Sequence, residues 1–232
     1  MHMTDDVTYR HELKYLISSA QVSLLRTRLE HMIPMDSHAA LTGGYTIRSL
    51  YFDDPDNRCY YENENGTDPR EKFRIRIYNG SAQRITLECK RKERGKTLKT
   101  ACPLTLEQTR LLMAGKVVPS IGEQPPLLQK LTGQMLLRRM RPVVIVEYRR
   151  IPYVCKNGNV RITLDTNLAA SKETESFLEG KIFFHPVMPL GWQLLEVKYD
   201  AYLPDYIYRG LQLENLRQTA FSKYCICRKL ES

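Results

Sequence analysis

The 232-residue chain has no run approaching the roughly 20 apolar residues that cross a bilayer as a helix. Its opening stretch, MHMTDDVTYRHELKYL, lacks the apolar core of a secretory signal. The expectation is a soluble, cytoplasmic protein. Paired cysteines are also missing. Of the six, Cys59, Cys89, Cys102 and Cys155 are scattered singly, and Cys225 and Cys227 form a C-x-C with no second cluster to complete a tetrahedral site. A zinc or dithiol centre is excluded, and the thiols are expected to be reduced and structural. Linkers, internal repeats and low-complexity tracts are absent, so nothing divides the chain, which is long enough to bury a real core. Aromatic residues are not interleaved with basic ones as a stacking platform, which argues against a nucleic-acid partner.

Positive charge is plentiful: Lys and Arg number 35 against 26 Asp and Glu, a formal charge of +9. An anionic partner is implied, but net charge alone does not distinguish a membrane surface from a phosphorylated small molecule. The placement of the charges must decide.

Strand-like segments dominate, over 8–16, 45–53, 71–79, 83–91, 96–101, 142–152, 159–168 and 193–200. Asn-Gly at 79–80 and KNGN at 156–159 join neighbouring runs as antiparallel hairpins. Helices are fewer. Ser18 and Gln21 have capping-box spacing ahead of Val22, Leu25, Leu29 and Met32; Thr105 and Gln108 start a second helix that Gly115 ends. A third helix is expected over 126–140 and a fourth after Pro204.

Within the strands, charges recur at every second position. KFRIRIYNG carries Lys72, Arg74 and Arg76 on one face, RITLECKRK carries Glu88, Lys90 and Lys92, and Phe73, Ile75, Ile77, Ile85, Leu87 and Cys89 fill the other. The habit repeats in Arg10, Glu12 and Lys14; in Glu147 and Arg149; in Arg161, Thr163 and Asp165; and in Glu196, Lys198 and Asp200. One such strand reads as an ordinary solvated face. Six of them, flanked by runs as apolar as VVIVEYRR and LLEVKYD, read as an α+β fold around a closed antiparallel barrel with a wet, charged interior and helices outside.

Such an interior suits a polyanion, because Arg offers a planar fork of donors to phosphate oxygens and Lys a mobile point charge. Carboxylates in the same cavity would repel phosphate unless a divalent cation bridged them. Glu12, Glu88, Glu147, Asp165 and Glu196 are therefore candidate ligands for Mg²⁺ or Mn²⁺. Taken singly, each Glu–Lys pair also reads as an ordinary salt bridge.

The ordered series RHELKY, IRSLYFD, KFRIRIY, LECKRK, VEYRR, RITLDTNL, LLEVKYD and FSKY resembles the polyphosphate polymerase domain of the vacuolar transporter chaperone family, the VTC domain, a branch of the triphosphate tunnel metalloenzymes. The likeness runs from about Tyr9 to Tyr224 and implies a single VTC-type domain over 1–232. It also implies a tunnel of eight antiparallel strands, a triphosphate substrate and a divalent metal. Carried over residue by residue, it implies that Lys14, Arg74, Arg76, Lys90, Arg149, Arg161 and Lys223 hold phosphates, with Arg10 at the entrance strand. Glu196 matches the metal-coordinating glutamate, with Lys198 on its face and Glu12 and Glu88 as further candidates. The related CYTH branch opens with E-x-E-x-K, whereas Arg10 stands at the first acidic position here, which favours the VTC branch. The implied activity is transfer of the terminal phosphoryl group of a nucleoside triphosphate such as ATP to a growing polyphosphate, with Mn²⁺ or Mg²⁺. Control and product translocation would fall to separate membrane proteins. A metal-dependent triphosphatase and a non-catalytic polyphosphate-binding subunit are the alternatives.

Overall fold

A computed structural model of the chain describes residues 10–119 and 122–229. Residues 8 and 9 of the expected first strand lie outside the described residues. The strands are β1 (His11–Ser18), β2 (Tyr45–Asp53), β3 (Arg70–Tyr78), β4 (Ser81–Glu93), β5 (Lys96–Pro103), β6 (Arg141–Cys155), β7 (Val160–Ser171), β8 (His185–Pro186) and β9 (Trp192–Tyr199). The helices are α1 (Ser19–Met32), α2 (Arg58–Glu64), α3 (Leu106–Met113), α4 (Pro126–Arg138), α5 (Asp205–Gly210) and α6 (Lys223–Arg228).

Eight strands pair antiparallel in the order β1-β9-β7-β6-β2-β3-β4-β5, and the two-residue β8 flanks β7. Register shifts at Tyr51/Phe52, Arg76/Tyr78 and Glu147/Arg149 add local twist and help curl the sheet on itself. The curl does not complete a barrel, which corrects the closed architecture expected from the sequence. The edges formed by β1 and β5 stand 6 Å apart, joined by an isolated bridge between Arg10 and Thr97. Continued in that register, Glu12 and Leu13 would face the β4–β5 turn at Gly95 and Arg94 rather than β5, so the ladder cannot propagate along β1 from Glu12 onward.

Alternation sorts the side chains as anticipated. Outward residues Tyr15, Ile17, Ile162, Leu164, Leu195 and Val197 form one buried cluster with Leu25 and Leu29 of α1. Phe73, Ile75, Leu87 and Cys89 join another with Leu112 of α3 and Leu128, Leu131 and Met135 of α4. Each such side chain contributes about 1.5–3 kcal/mol when fully removed from water. Both capping boxes form, at Ser18/Gln21 and Thr105/Gln108. The hairpin turn between β6 and β7 requires its glycine: Gly158 has φ +71°, and a Cβ there would lie 2.6 Å from the Tyr202 carbonyl oxygen.

Two helices escaped the sequence reading, and one of them shapes the interior. Ser222 caps α6, accepting from the Cys225 amide at 3.3 Å. Buried Tyr224 donates its hydroxyl to Asp53 and packs its ring 5.2 Å from that of Tyr51. The six-residue α6 is thereby pinned against the inner side of β2, with Lys223 reaching the strands opposite.

Candidate functional site

The concave side of the sheet gathers Lys14, Lys72, Arg74, Arg76, Lys90, Lys99, Arg150, Arg161, Lys198 and Lys223, ten basic side chains, around Glu12, Asp36, Glu88, Asp165 and Glu196. The strand register sets these neighbours. Glu12 stands opposite Lys198, and Lys198 opposite Arg161; Lys14 stands opposite Glu196, and Arg74 opposite Glu88.

The contacts form a continuous chain of opposite charges. Glu12 meets Lys90 at 2.7 Å and Lys198 at 3.3 Å; Lys198 reaches Glu196 at 3.2 Å; Glu196 takes Lys223 at 2.5 Å; and Lys223 reaches Asp165 at 2.7 Å. Asp165 accepts a two-pronged fork from Arg150 at 2.7 and 2.6 Å. A second hub is Glu88, which holds Arg74 at 2.7 Å, Arg76 at 3.4 Å and Lys99 at 2.7 Å. Arg74 also donates to the Tyr51 hydroxyl at 2.8 Å, and its remaining guanidinium donors are free to reach a ligand.

Burial and charge oppose one another here. Burial alone would raise the Glu196 carboxyl, yet Lys223, Lys198, Lys14 and Arg150 together hold it well below the usual range. Glu12 behaves likewise, with burial outweighed by Lys198, Lys90 and Lys14. Lys90 goes the other way: burial, abetted by Lys14 and Lys198, outweighs Glu12 and brings its ammonium down to about 7. The inner carboxylates are therefore ionised, and the basic groups around them outnumber them.

Most residues expected on the inner face are there, with exceptions. Lys14, Arg74, Arg76, Glu88, Lys90, Arg161, Glu196, Lys198 and Lys223 converge as described. Arg161 sits toward one end, paired with Asp36 at 2.9 Å and Tyr45 at 3.1 Å. Arg10 lies at the seam beside Asp200, at 2.8 Å, outside the chain of charges. Arg149 does not join the others: it is exposed and donates to the Thr42 carbonyl at 3.1 Å. Glu147 is also on the outer side, held at 2.6 Å by Arg48, which in turn reaches the carbonyls of Phe177 and Glu179. The inner parity of β6 belongs to Tyr148 and Arg150, whose charges are interrupted by an aromatic ring and so escaped a search for alternating charge. Lys223 lies 4.8 Å, and the Arg150 guanidinium 5.3 Å, from the centre of that ring. Lys72 stands in the alternating charge row of β3, whereas Lys99, in KTLKTAC, offers no comparable signal.

Among the described residues no three His, Cys, Asp or Glu side chains converge as a ready metal-ligand set. A hard divalent cation nevertheless commonly needs only one or two carboxylates, with substrate phosphates and water completing its shell. Glu12 and Glu196 fit that requirement, because the Lys198 ammonium lies between them at 3.3 and 3.2 Å, marking a position that both carboxylates can share with a cation. Glu88 lacks such a shared position: its partners Arg74, Arg76 and Lys99 reach no second carboxylate among the described residues.

The profile of the VTC domain matches residues 9–231. No curated protein sequence matches the chain significantly. Among solved structures, a candidate adenylate cyclase of Bacillus halodurans superposes with a TM-score of 0.54 at 16% identity, covering 91% of this chain and 92% of its own. A candidate adenylyl cyclase of Hippeastrum with a dominant triphosphatase activity superposes with a TM-score of 0.55 at 14% identity, covering 96% of this chain and 95% of its own. At these identities the likeness concerns the fold.

Proposed function

The chain belongs to the VTC domain family, and on that premise we propose that it is a metal-dependent polyphosphate polymerase, moving the terminal phosphoryl group of a nucleoside triphosphate such as ATP onto a polyphosphate end held along the concave face. The observation that carries this reading is the surplus of ten basic side chains over five carboxylates on one inner surface. A bound polyanion would supply the missing negative charge.

The reaction asks little covalent chemistry of the protein. An anionic oxygen at the chain end attacks the terminal phosphorus; a P–O bond forms as the bond to the bridging oxygen breaks, and the nucleoside diphosphate leaves with that electron pair. The acceptor is already ionised, so neither a protein base nor a covalent nucleophile is required. Arg74 and Arg76, held rigidly by Glu88, align phosphate oxygens in the manner of a preset fork. Lys198, Lys223 and Arg150 neutralise the charge that spreads over the transferred group. Glu196 and Glu12 would hold the Mn²⁺ or Mg²⁺, which supplies Lewis-acid polarisation of phosphoryl oxygens when bound.

Incubating the pure protein with ATP and Mn²⁺ and sizing the products tests the proposal: chains much longer than the substrate's triphosphate are expected. A second reading, a triphosphatase directing water at the terminal phosphate, draws on the fold shared with the Hippeastrum protein. Orthophosphate without chains would establish it instead. Binding of triphosphate with no turnover would leave an accessory polyphosphate-binding role.

A further inference from the structure

We infer that Lys72, Asn63 and Ser222 form an additional phosphate subsite, one row along β3 from Arg74, that engages polyphosphate chains longer than a triphosphate. The inference rests on the reading of the concave face as a polyphosphate site and adds to it a length-sensing contact.

Lys72 shares the inner face of β3 with Arg74 and Arg76, and two residues of strand separate it from Arg74 by about 7 Å. Its ammonium contacts only neutral groups: the Asn63 side-chain oxygen at 3.0 Å and the Ser222 hydroxyl at 3.2 Å, with the Tyr224 ring centre 5.7 Å away. Among the described residues no carboxylate lies within ion-pairing distance, whereas Arg74, Lys90, Lys198 and Lys223 each have one. The charged groups near enough to act on it are cations as well, Lys14 and Arg70, while the neighbouring Cys225 and Cys59 thiols are kept neutral by burial. Burial is the main reason the ammonium drops to about 8. A buried cation without a counter-charge costs free energy that an arriving anion would offset.

The donors are also oriented. Ser222 Oγ accepts from Lys72 and from the Cys225 amide, which leaves its own proton to donate outward. The Asn63 oxygen accepts from Lys72, so its amide hydrogens remain as neutral donors. An ammonium, a hydroxyl and an amide thus meet where α2, β3 and the start of α6 come together, and among the described residues no carboxylate is paired with the ammonium.

The test compares the 232-residue chain with its Lys72→Met and Lys72→Arg variants by calorimetric titration at constant ionic strength, using tripolyphosphate and a long-chain polyphosphate as separate ligands. Lys72→Met is expected to weaken long-chain binding about tenfold, the size of one lost charge-assisted hydrogen bond, and triphosphate binding less than about twofold. Lys72→Arg should restore the difference. Equal losses for both ligands, or no loss for either, would overturn the subsite; a fall in melting temperature with unchanged length preference would reduce Lys72 to a brace for α6 and overturn it equally. Should Lys72→Met fail to fold, Ser222→Ala and Asn63→Ala carry the same comparison: a smaller shift in the same direction supports the subsite and an unchanged ratio overturns it. Failure of the wild-type protein to bind either ligand would instead defeat the polyphosphate reading of the whole inner face, and the subsite with it.

Discussion

Arg150 and Arg149 are adjacent in β6 and meet opposite environments. Arg150 is buried and grips Asp165 with both prongs, while Arg149 lies in solvent over the Thr42 carbonyl. Removing Arg150 leaves the buried Asp165 with Lys223 alone. Arg150→Ala should therefore lower unfolding free energy by about 1.5–3 kcal/mol, the size of a lost charge-assisted hydrogen bond, in denaturant titrations and weaken triphosphate binding. Arg149→Ala should change stability by no more than about 0.5 kcal/mol and leave binding as it was. The reverse ranking would return Arg149 to the site. Glu196→Gln asks a different question. It preserves volume and one acceptor oxygen but removes the charge that a bridging cation needs, while Asp165 continues to hold Lys223. Turnover with Mn²⁺ should be lost and triphosphate affinity largely kept; full activity in this variant would rule out the metal role. The pair in β6 also marks how far residue-level reading reaches: alternation fixed the inner parity of β3, β4, β7 and β9, where charges repeat, and failed in β6, where the inner row is Tyr148 and Arg150.

Among elements, α6 has the largest influence for its length. Its sequence, KYCICR, is too short and too apolar to announce a helix by periodicity, and tertiary contacts reinforce its Ser222 cap: Lys223 to Glu196 and Asp165, Tyr224 to Asp53. Tyr224→Phe deletes a buried hydroxyl whose partner, Asp53, still receives the amides of Asp54, Cys59 and Tyr60. The expected cost is about 1–3 kcal/mol, seen as a lower melting temperature, with a parallel rise in amide exchange across α6 and α2. Unchanged exchange there would show that Asp53 does not anchor α6. The strands, apart from the two-residue β8, are by contrast legible to within about three residues at their ends, because an inner charged row and an outer apolar row leave period 2 unambiguous, and Asn79-Gly80 fixes the β3–β4 turn. Helix α2 gives no signal for a different reason: RCYYENE has no apolar stripe, and just one of its residues, Cys59, is buried.

At the scale of the whole molecule the inner charges couple stability to pH and to anions. For Glu88, burial opposes ionisation, but Arg74, Arg76 and Lys99 prevail; for Asp165, Arg150 and Lys223 do the same, so both carboxyls titrate below their usual range. The unfolded chain then binds more protons than the folded one as pH falls through about 4, so this stabilisation, complete above that value, should drain away below it. Melting curves between pH 3 and 7 read this directly, and a flat profile would contradict it. At neutral pH the basic surplus predicts that tripolyphosphate raises the melting temperature with concentration, by about 2.7 kcal/mol of stabilisation at a hundred times its dissociation constant. Sodium chloride of equal ionic strength should do much less. The 6 Å gap between β1 and β5 bears on how that stabilisation is felt. The wall is a split collar rather than a hoop: hydrogen-bonded ladders fix its girth everywhere except along one line, so a bulky or highly charged occupant can be accommodated by slight opening there that disturbs only the isolated Arg10–Thr97 bridge. Amides of β1 and β5 that face the slit should exchange with solvent faster than those of β6 and β7, and an occupant that draws the edges together should slow them first.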